Sequence, residues 1–450
     1  MFTGCGQADA VDRLVKEEMS RQHIPGAAIV VLKAGKMVKV GGYGLADTKL
    51  KVPVTPDTPF RLQSVSKQFT ATAVMMLVEE GKIRLDDPVG RYLDGTPESW
   101  RKITVRHLLG HTSGLRDFIN ETETLDLRRE WTDGQLLASI MQRPLLFEPG
   151  GSWNYSDTNY LALGMIIGRV SGQWYGDMLA ERIFMPLGMT RTLVPRDRQS
   201  SAKGYILANG RVEASTGDTT LGLSVLSYAG GGIQSTVLDL ARWDAALYTD
   251  RLLKRETLEQ MWTPVKLNDG TTHASGFGWE VDAIARHRRI SHAGIWTGFA
   301  TQIDRFVDDQ LTVIVLTNQA NAAPARIARA VAATFIPALA APVYHPIPDR
   351  EPEVTARFKD VLRRGLEGGL RADEFTEPVW SYLAAHLETT KRDFTAIGAI
   401  QDLTLVERTE TGVERSYRYQ ARFSRTTLLF HFVLTKEGRI SDMKPESVNQ

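Results

Sequence analysis

The chain has 450 residues, 42% hydrophobic and 24% charged, ordinary for a soluble globular protein and long enough for two or three domains. A formal net charge of +1 gives no basic surface for nucleic acid or an anionic membrane. The single cysteine, Cys5, excludes an intrachain disulfide framework and a cysteine metal cluster.

No segment has the apolarity of a membrane span. The most apolar long stretch, 322–343, carries Arg326, Arg329 and several prolines, and fits a helix packed on a sheet. At the start, Phe2-Thr3-Gly4-Cys5 resembles the end of a bacterial lipoprotein signal, but the charged and apolar parts of such a signal are missing. Two readings stand. Either the start is truncated and the protein is periplasmic or lipid-anchored, or the likeness is accidental and the protein is cytoplasmic.

From Gln7 to His23 the apolar residues Val11, Leu14, Val15 and Met19 recur with helical spacing. Strands over 27–32 and 37–40 follow, joined by the hairpin Lys33-Ala34-Gly35-Lys36. Next comes Phe60-Arg61-Leu62-Gln63-Ser64-Val65-Ser66-Lys67-Gln68-Phe69, opening a run that is apolar almost all round to Val78. That run predicts a buried helix with Gly81 as its stop. Ser64 and Lys67, three apart, share a helix face at the N-terminus, where backbone N–H groups are free. A serine hydroxyl needs a neighbouring base to become a nucleophile. Lysine serves when burial keeps it neutral; otherwise it stays charged and stabilises an adjacent oxyanion. Both alternatives are open at this point. A second S-x-x-K, Ser200 to Lys203, has no apolar helix behind it and reads as an exposed loop.

From about 86 to 230 the pattern is an inserted, mostly helical region. His107 and His111 have metal-ligand spacing, but Gly110 and the Thr112-Ser113-Gly114 turn end the helix between them, so structural use is expected. Thr132 to Met141 reads as a capped helix. Tyr155-Ser156-Asp157 enters an apolar helix, 161–170, where Tyr155 either faces a cleft or packs beneath a cap made by Asp157 or Thr158. Gly230-Gly231-Gly232 precedes a helix over 235–248 and lacks the lysine of a phosphate loop. Strands return over 276–281, 289–291, 299–304 and 311–317, then a helix over 325–335. Arg286 to Arg289 reads as a solvated hairpin. His292 stands at a strand start, with Gly294 letting backbone come close to a ligand. The two ends of this part form one sheet with helices on both faces. Residues 1–345 are thus one α/β (α+β) domain, 346–352 a linker, and 353–450 a small α+β domain with helices over 354–366 and 377–387 and strands over 403–407, 416–423 and 427–435.

Three motifs in order, Ser64-Val65-Ser66-Lys67, Tyr155-Ser156-Asp157 and His292-Ala293-Gly294, resemble the serine β-lactamase and penicillin-binding superfamily. The likeness is to its class C β-lactamase, D-aminopeptidase and β-lactamase-like esterase branch. Supporting stretches are Gly42 to Asp47, Leu108 to Leu115, Gly230 to Gly232 and Gly276 to Trp279, and the likeness covers roughly 8–340. It implies a β-lactamase/transpeptidase-like fold and no cofactor or metal. Ser64 would form an acyl-enzyme, Lys67 and Tyr155 would share the proton work, and His292 would line the cleft. The N–H groups of Ser64 and Ile295 would form an oxyanion hole. Gly294 and Asp157 are counted with His292 and Ile295 among substrate-contacting residues. The small unit resembles NTF2- or cystatin-like appendages.

Two departures matter. Asp157 stands where the second motif usually ends in asparagine, either holding Lys67 charged or capping the helix. His292 stands where β-lactamases have lysine; near an ordinary pKa of ~6.5 it is mostly neutral at pH 7 and offers no fixed cation to a substrate carboxylate. The expected activity is a serine hydrolase on small carboxylic esters. The alternatives are a D-amino-acid peptidase, DD-carboxypeptidase or β-lactamase, and a penicillin-binding or cell-wall-peptide sensor with little turnover. The oligomeric state is not legible.

Overall fold

The strand Gly26–Lys33 is buried along nearly its whole length because it has a neighbour on each edge. It pairs antiparallel with Leu311–Thr317 on one side and Lys36–Asp47 on the other. The computed structural model describes residues 4–120, 125–197, 202–340, 344–385, 391, 397–412, 414–424 and 427–446. They fall into two compact units, Met1–Ala340 and Ala341–Gln450.

In the first unit a seven-stranded sheet runs in the order Glu280–Ile284, His287–Trp296, Phe299–Phe306, Leu311–Thr317, Gly26–Lys33, Lys36–Asp47, Val52–Pro53. Every pairing in it is antiparallel. Early and late strands therefore build one sheet, and the mainly helical middle of the chain is inserted between them. Side chains alternate across the strands with period two. Ile29 and Val31 meet Val11, Val15, Ile327 and Val331 of the helices Gly4–Gln22 and Pro324–Phe335. Ala28 and Val30 belong to the opposite face, in the core that holds Phe69 and Val74 of the helix Lys67–Glu79. This is the expected class, an antiparallel sheet flanked by helices. Among the described residues, no helix is long and apolar enough to cross a membrane.

Local expectations hold where the chemistry is local. Thr132 caps Asp133–Met141 through a reciprocal box with Gln135. Gly81 closes the Lys67–Glu79 helix: its N–H donates to Val78 O at 2.9 Å, and that of Lys82 to Leu77 O at 2.9 Å. His107 completes a capping box with Thr104, a structural use as expected. The basic run at 286–289 begins inside a two-residue turn, Ala285 and Arg286, both in the left-handed region, within the Glu280–Ile284 and His287–Trp296 hairpin.

Two strand boundaries differ. The strand expected over 276–281 begins at Glu280, because residues 276–279 are a loop laid against the Lys67 turn; a Cβ on Gly278 would sit 2.8 Å from Lys67 O. The strand expected to end at Ser291 continues to Trp296, since partners on both sides extend its ladder. His292, paired with Ile303, is therefore inside a strand and not at the start of one. In the second S-x-x-K, Ser200 and Ser201 lie outside the described residues; Ala202 and Lys203 are not helical.

In the second unit the helix Pro352–Glu367 packs Phe358 against Phe432 at 4.1 Å between ring centroids. The sheet beneath has four antiparallel strands, Ile400–Thr411, Glu414–Phe423, Thr427–Leu434 and Ile440–Glu446. The fourth was not expected, being short of apolar residues and containing Pro445, which an edge position tolerates. The residues expected as a linker are tied into this unit. Ile347 N–H donates to Leu405 O at 3.0 Å, and Glu351 accepts from Arg408, Arg415 and Tyr417.

Candidate active site

The short strand Phe60–Arg61 pairs with Gln234–Ser235, fixing the approach to Ser64. Gln63 then takes φ +52°, an unfavourable region for a side chain of its size. Its amide holds it there, donating to Trp296 O and Thr297 Oγ1, both at 3.2 Å. A 3₁₀ turn, Gln63–Ser66, follows and runs directly into the Lys67–Glu79 helix. Ser64 is half-buried on that turn, and Lys67 is wholly buried.

Lys67 Nζ donates to Ser64 Oγ at 3.2 Å, to Asp157 Oδ1 at 2.5 Å and to Gly230 O at 2.8 Å. An ammonium has three donors, and here each has an acceptor. Asp157 opens the helix Asp157–Ser171, and Ser156 is the N-cap. The Asp157 side chain does not cap; it accepts from Lys67 and, at 2.7 Å, from the Tyr228 hydroxyl. Of the two readings of Asp157, the one beside the lysine is the observed one. The carboxylate, expected against substrate, lies behind Lys67 and 7% exposed, and it does not line the cavity described below.

Tyr155 lies on the other side of the lysine, with Nζ 4.8 Å from its ring centroid. Its ring stacks on His111 at 4.4 Å. Burial, and then the Asp157 charge, push its phenol well above the ordinary tyrosine range, with a Ser64 hydrogen bond pulling the other way. Tyr155 is therefore a protonated phenol in the resting site. His111 accepts the Ser156 N–H on Nδ1 at 3.2 Å, so that nitrogen carries no proton. Burial and the Lys67 cation hold His111 well below the usual histidine range. It is a neutral platform for Tyr155, structural as expected.

His292 is 6% exposed, with its ring 6.5 Å from that of Tyr155. Its Nδ1 lies 2.6 Å from Ala293 O, and since a carbonyl only accepts, Nδ1 bears the proton. Burial and the Lys67 cation lower its pKa to about 4. An ordinary pKa near 6.5 was expected; the buried strand position beside an ammonium is why the value is lower. Gly294 meets the Ser64 segment rather than open cleft: a Cβ there would stand 2.3 Å from Leu62 O. Ile295 is 60% exposed on the same strand, two residues from the Thr297 that Gln63 grips.

Beside Tyr155 and His292 opens a cavity of about 230 Å³, walled also by Trp153, His273, Trp279 and Glu280. Among the described residues no cluster of His, Cys, Asp and Glu could hold a metal ion. Three contributors escaped the sequence reading. Tyr228 and the Gly230 carbonyl come from the glycine-rich run, which the sequence marked as a supporting stretch of the family likeness but not as part of the site. Asp117 receives the Asp157 N–H at 3.3 Å and the Ile119 N–H at 3.1 Å. Burial and the Asp157 charge raise its pKa to about 7. Nothing in the sequence around it marked it out.

The Beta-lactamase family model matches residues 11–336, which holds all of these side chains. The chain belongs to that family. Penicillin-binding protein 4* of Bacillus subtilis (strain 168) is 32% identical over 318 residues, 67% of this chain and 70% of the relative. The crystal structure of a D-stereospecific amidohydrolase from Streptomyces sp. matches at TM-score 0.61 and 28% identity, over 73% of this chain and 98% of that one. The octameric penicillin-binding protein homologue from Pyrococcus abyssi shares the fold, with TM-score 0.66 and 23% identity over 96% of this chain and 94% of that one. As a Beta-lactamase family member with an amidohydrolase among its neighbours, the chain is a serine hydrolase.

Proposed function

We propose that the chain hydrolyses small carboxylic esters through an acyl-enzyme on Ser64. The observation that carries this is the placement of Lys67 Nζ between Ser64 Oγ, 3.2 Å away, and Asp157 Oδ1, 2.5 Å away. An ammonium donating to all three neighbours cannot accept a proton. By passing one to Asp157 across the short contact, it becomes an amine able to take the Ser64 proton as Oγ attacks the carbonyl. The oxyanion would be received by the N–H groups of Ser64 and Ile295, about 3–4 kcal/mol for each donor in hydrolases generally. Tyr155, a protonated phenol beside Ser64, would give its proton to the leaving alkoxide and be recharged from Lys67. Water would then attack the ester of Ser64 by the same route in reverse.

A second reading is hydrolysis of amides of D-residues. The likeness to the D-stereospecific amidohydrolase supports it, together with the neutral His292, which gives a β-lactam or peptide carboxylate no fixed cation. A third, supported by the likeness to penicillin-binding protein 4*, is acylation by β-lactams with little turnover.

The test is a panel of p-nitrophenyl esters, D-alanyl peptides and nitrocefin, with intact mass after each. Expected are ester turnover and an acyl mass on the peptide containing Ser64, with both lost in Ser64→Ala. Turnover that survives Ser64→Ala would remove the proposal. Stable mass from nitrocefin with no ester turnover would favour the binding reading.

A further inference from the structure

The cavity beside Tyr155 has two carboxylates and no lysine or arginine on its described wall. Its histidines do not compensate: His111 and His292 are held neutral, and burial lowers the His273 pKa as well. The two carboxylates differ. Asp282 receives Arg289 on both oxygens, at 2.8 and 2.6 Å, and the same guanidinium reaches Asp304 at 3.3 Å. Glu280 has no ion-pair partner within 4 Å among the described residues; its one side-chain hydrogen bond there comes from the Ser291 hydroxyl, donating at 3.4 Å. Burial raises the Glu280 pKa while the nearby Arg289 charge acts the other way, and Glu280 is in turn one of the lesser charges that push the Tyr155 phenol up.

The rest of the wall suits the same ligand. Trp153 and His273 stack at 3.9 Å with 11° between their planes, making a flat π surface. Trp279, 2% exposed, adds a further indole ring to this wall. An ammonium entering here meets an exposed, unpaired carboxylate and aromatic faces, both of which attract cations. A carboxylate entering here meets Glu280 and no lysine or arginine on the wall itself; the nearest cations are already engaged, Arg289 by Asp282 and Asp304 and Lys67 by Ser64, Asp157 and Gly230.

We propose that Glu280 anchors a protonated amine on the acyl part of the substrate, so that the enzyme selects amine-bearing acyl compounds, amino-acyl esters and amides, over neutral or carboxylate-bearing ones. The inference rests on the Ser64 acyl-enzyme reading and names its substrate class. Glu280 begins a strand and is paired in register with Ser291, which fixes where the carboxylate emerges.

The experiment uses the full chain with D-alanine methyl ester, its N-acetyl form and its N-succinyl form, followed in a pH-stat, with intact mass of the acyl-enzyme. In the wild type, kcat/KM for the free amine should exceed that for the N-acetyl ester by about ten- to a hundredfold, the range of a charge-assisted hydrogen bond, with the succinyl ester lowest. Glu280→Gln should collapse the amine-to-acetyl ratio, and Glu280→Lys should raise the succinyl ester above the free amine. A wild type with no preference for the amine overturns the proposal, as does an equal ratio in wild type and Glu280→Gln. If none of the three esters adds mass at Ser64, the acyl-enzyme reading fails and this proposal falls with it. If they acylate Ser64 but the ratio ignores Glu280, this proposal fails alone.

Discussion

Lys67 Nζ lies 2.5 Å from Asp157 Oδ1, with the lysine side chain wholly buried and that of the aspartate 10% exposed. Removing one partner of such a pair leaves a buried charge uncompensated, at a cost of about 3–5 kcal/mol. Asp157→Ala should therefore lose stability in that range by urea unfolding. Asp157→Asn keeps an oxygen for Lys67 and for the Tyr228 hydroxyl, so it should fold with a smaller loss. It cannot take the proton that frees Lys67, and its acylation rate should drop by about a hundredfold, the low end of general-base contributions. Burst kinetics with a p-nitrophenyl ester read this directly. Wild-type acylation in Asp157→Asn would make the carboxylate a counter-ion and nothing more.

Asp117 gives the fold a pH dependence of definite sign. Its pKa is raised to about 7 by burial and by Asp157, against about 3.9 in an unfolded chain. Between these values the folded state binds the extra proton, so this contribution is whole below pH ~4 and lost as pH rises through ~7. Its full size is at most about 4 kcal/mol, from three pH units at 1.36 kcal/mol each. Asp117→Asn keeps an acceptor for the Asp157 and Ile119 N–H groups and removes the titration. The variant should gain stability over wild type at pH 8 and gain less at pH 5. Parallel stability–pH curves for the two proteins would show that Asp117 does not titrate there.

What could be read in the sequence was what repeats or lies close along the chain. Ser64 and Lys67 meet because three residues on a helical turn bring side chains together. The sheet halves are visible because Ile29, Val31, Val313 and Val315 alternate with Ala28, Val30, Ile314 and Leu316. The surroundings of Lys67 have no such signal. Asp157 is 90 residues away and Gly230 is 163, and only the packing of the Asp157–Ser171 helix and the glycine-rich loop brings them to one amine. The same holds for His292, whose residue type was visible but whose burial against Lys67 was not.

That burial sets the next expectation. With its pKa lowered to about 4, against about 6.5 unfolded, His292 favours the fold above pH ~6.5, and this is lost as pH falls toward 4. Across pH 5.5–8 its charge does not change. The ratio of kcat/KM for an anionic ester to that for a neutral one should therefore show no step near pH 6.5. A histidine resonance from His292 titrating near 6.5, with a matching step in that ratio, would contradict the neutral assignment. His292→Lys adds a second ammonium near Lys67 in a buried position, so it should lower Tm before any gain with carboxylate substrates appears.

Gly294 tests how the strand His287–Trp296 holds the nucleophile in place. A Cβ at this position would stand 2.3 Å from Leu62 O, 2.6 Å from Thr301 Oγ1 and 3.0 Å from Gln63 Cβ. Leu62 O already accepts the Thr301 hydroxyl at 2.8 Å, so the space is filled from both sides. Neither neighbour is the far end of a flexible chain: Leu62 O is backbone, and Gln63 is held at positive φ by its bonds to Trp296 O and Thr297 Oγ1. The methyl of Gly294→Ala must push the strand off the turn or shift the turn that carries Ser64. Overpacking of this kind costs about 1–3 kcal/mol. A displacement of about 1 Å in a reacting group costs about a hundredfold in rate. Gly294→Ala should thus lower Tm by several degrees and acylation by about a hundredfold, while Lys67 and Tyr155 are untouched. Gly35→Ala is the control. It is also strained, at φ +72°, but sits in the Lys33–Lys36 hairpin with nothing within 4 Å of its Cβ, so it should lose stability and keep its acylation rate. Equal rates for Gly294→Ala and wild type, with Tm lowered in both glycine variants, would show that the strand supports the fold and not the position of Ser64.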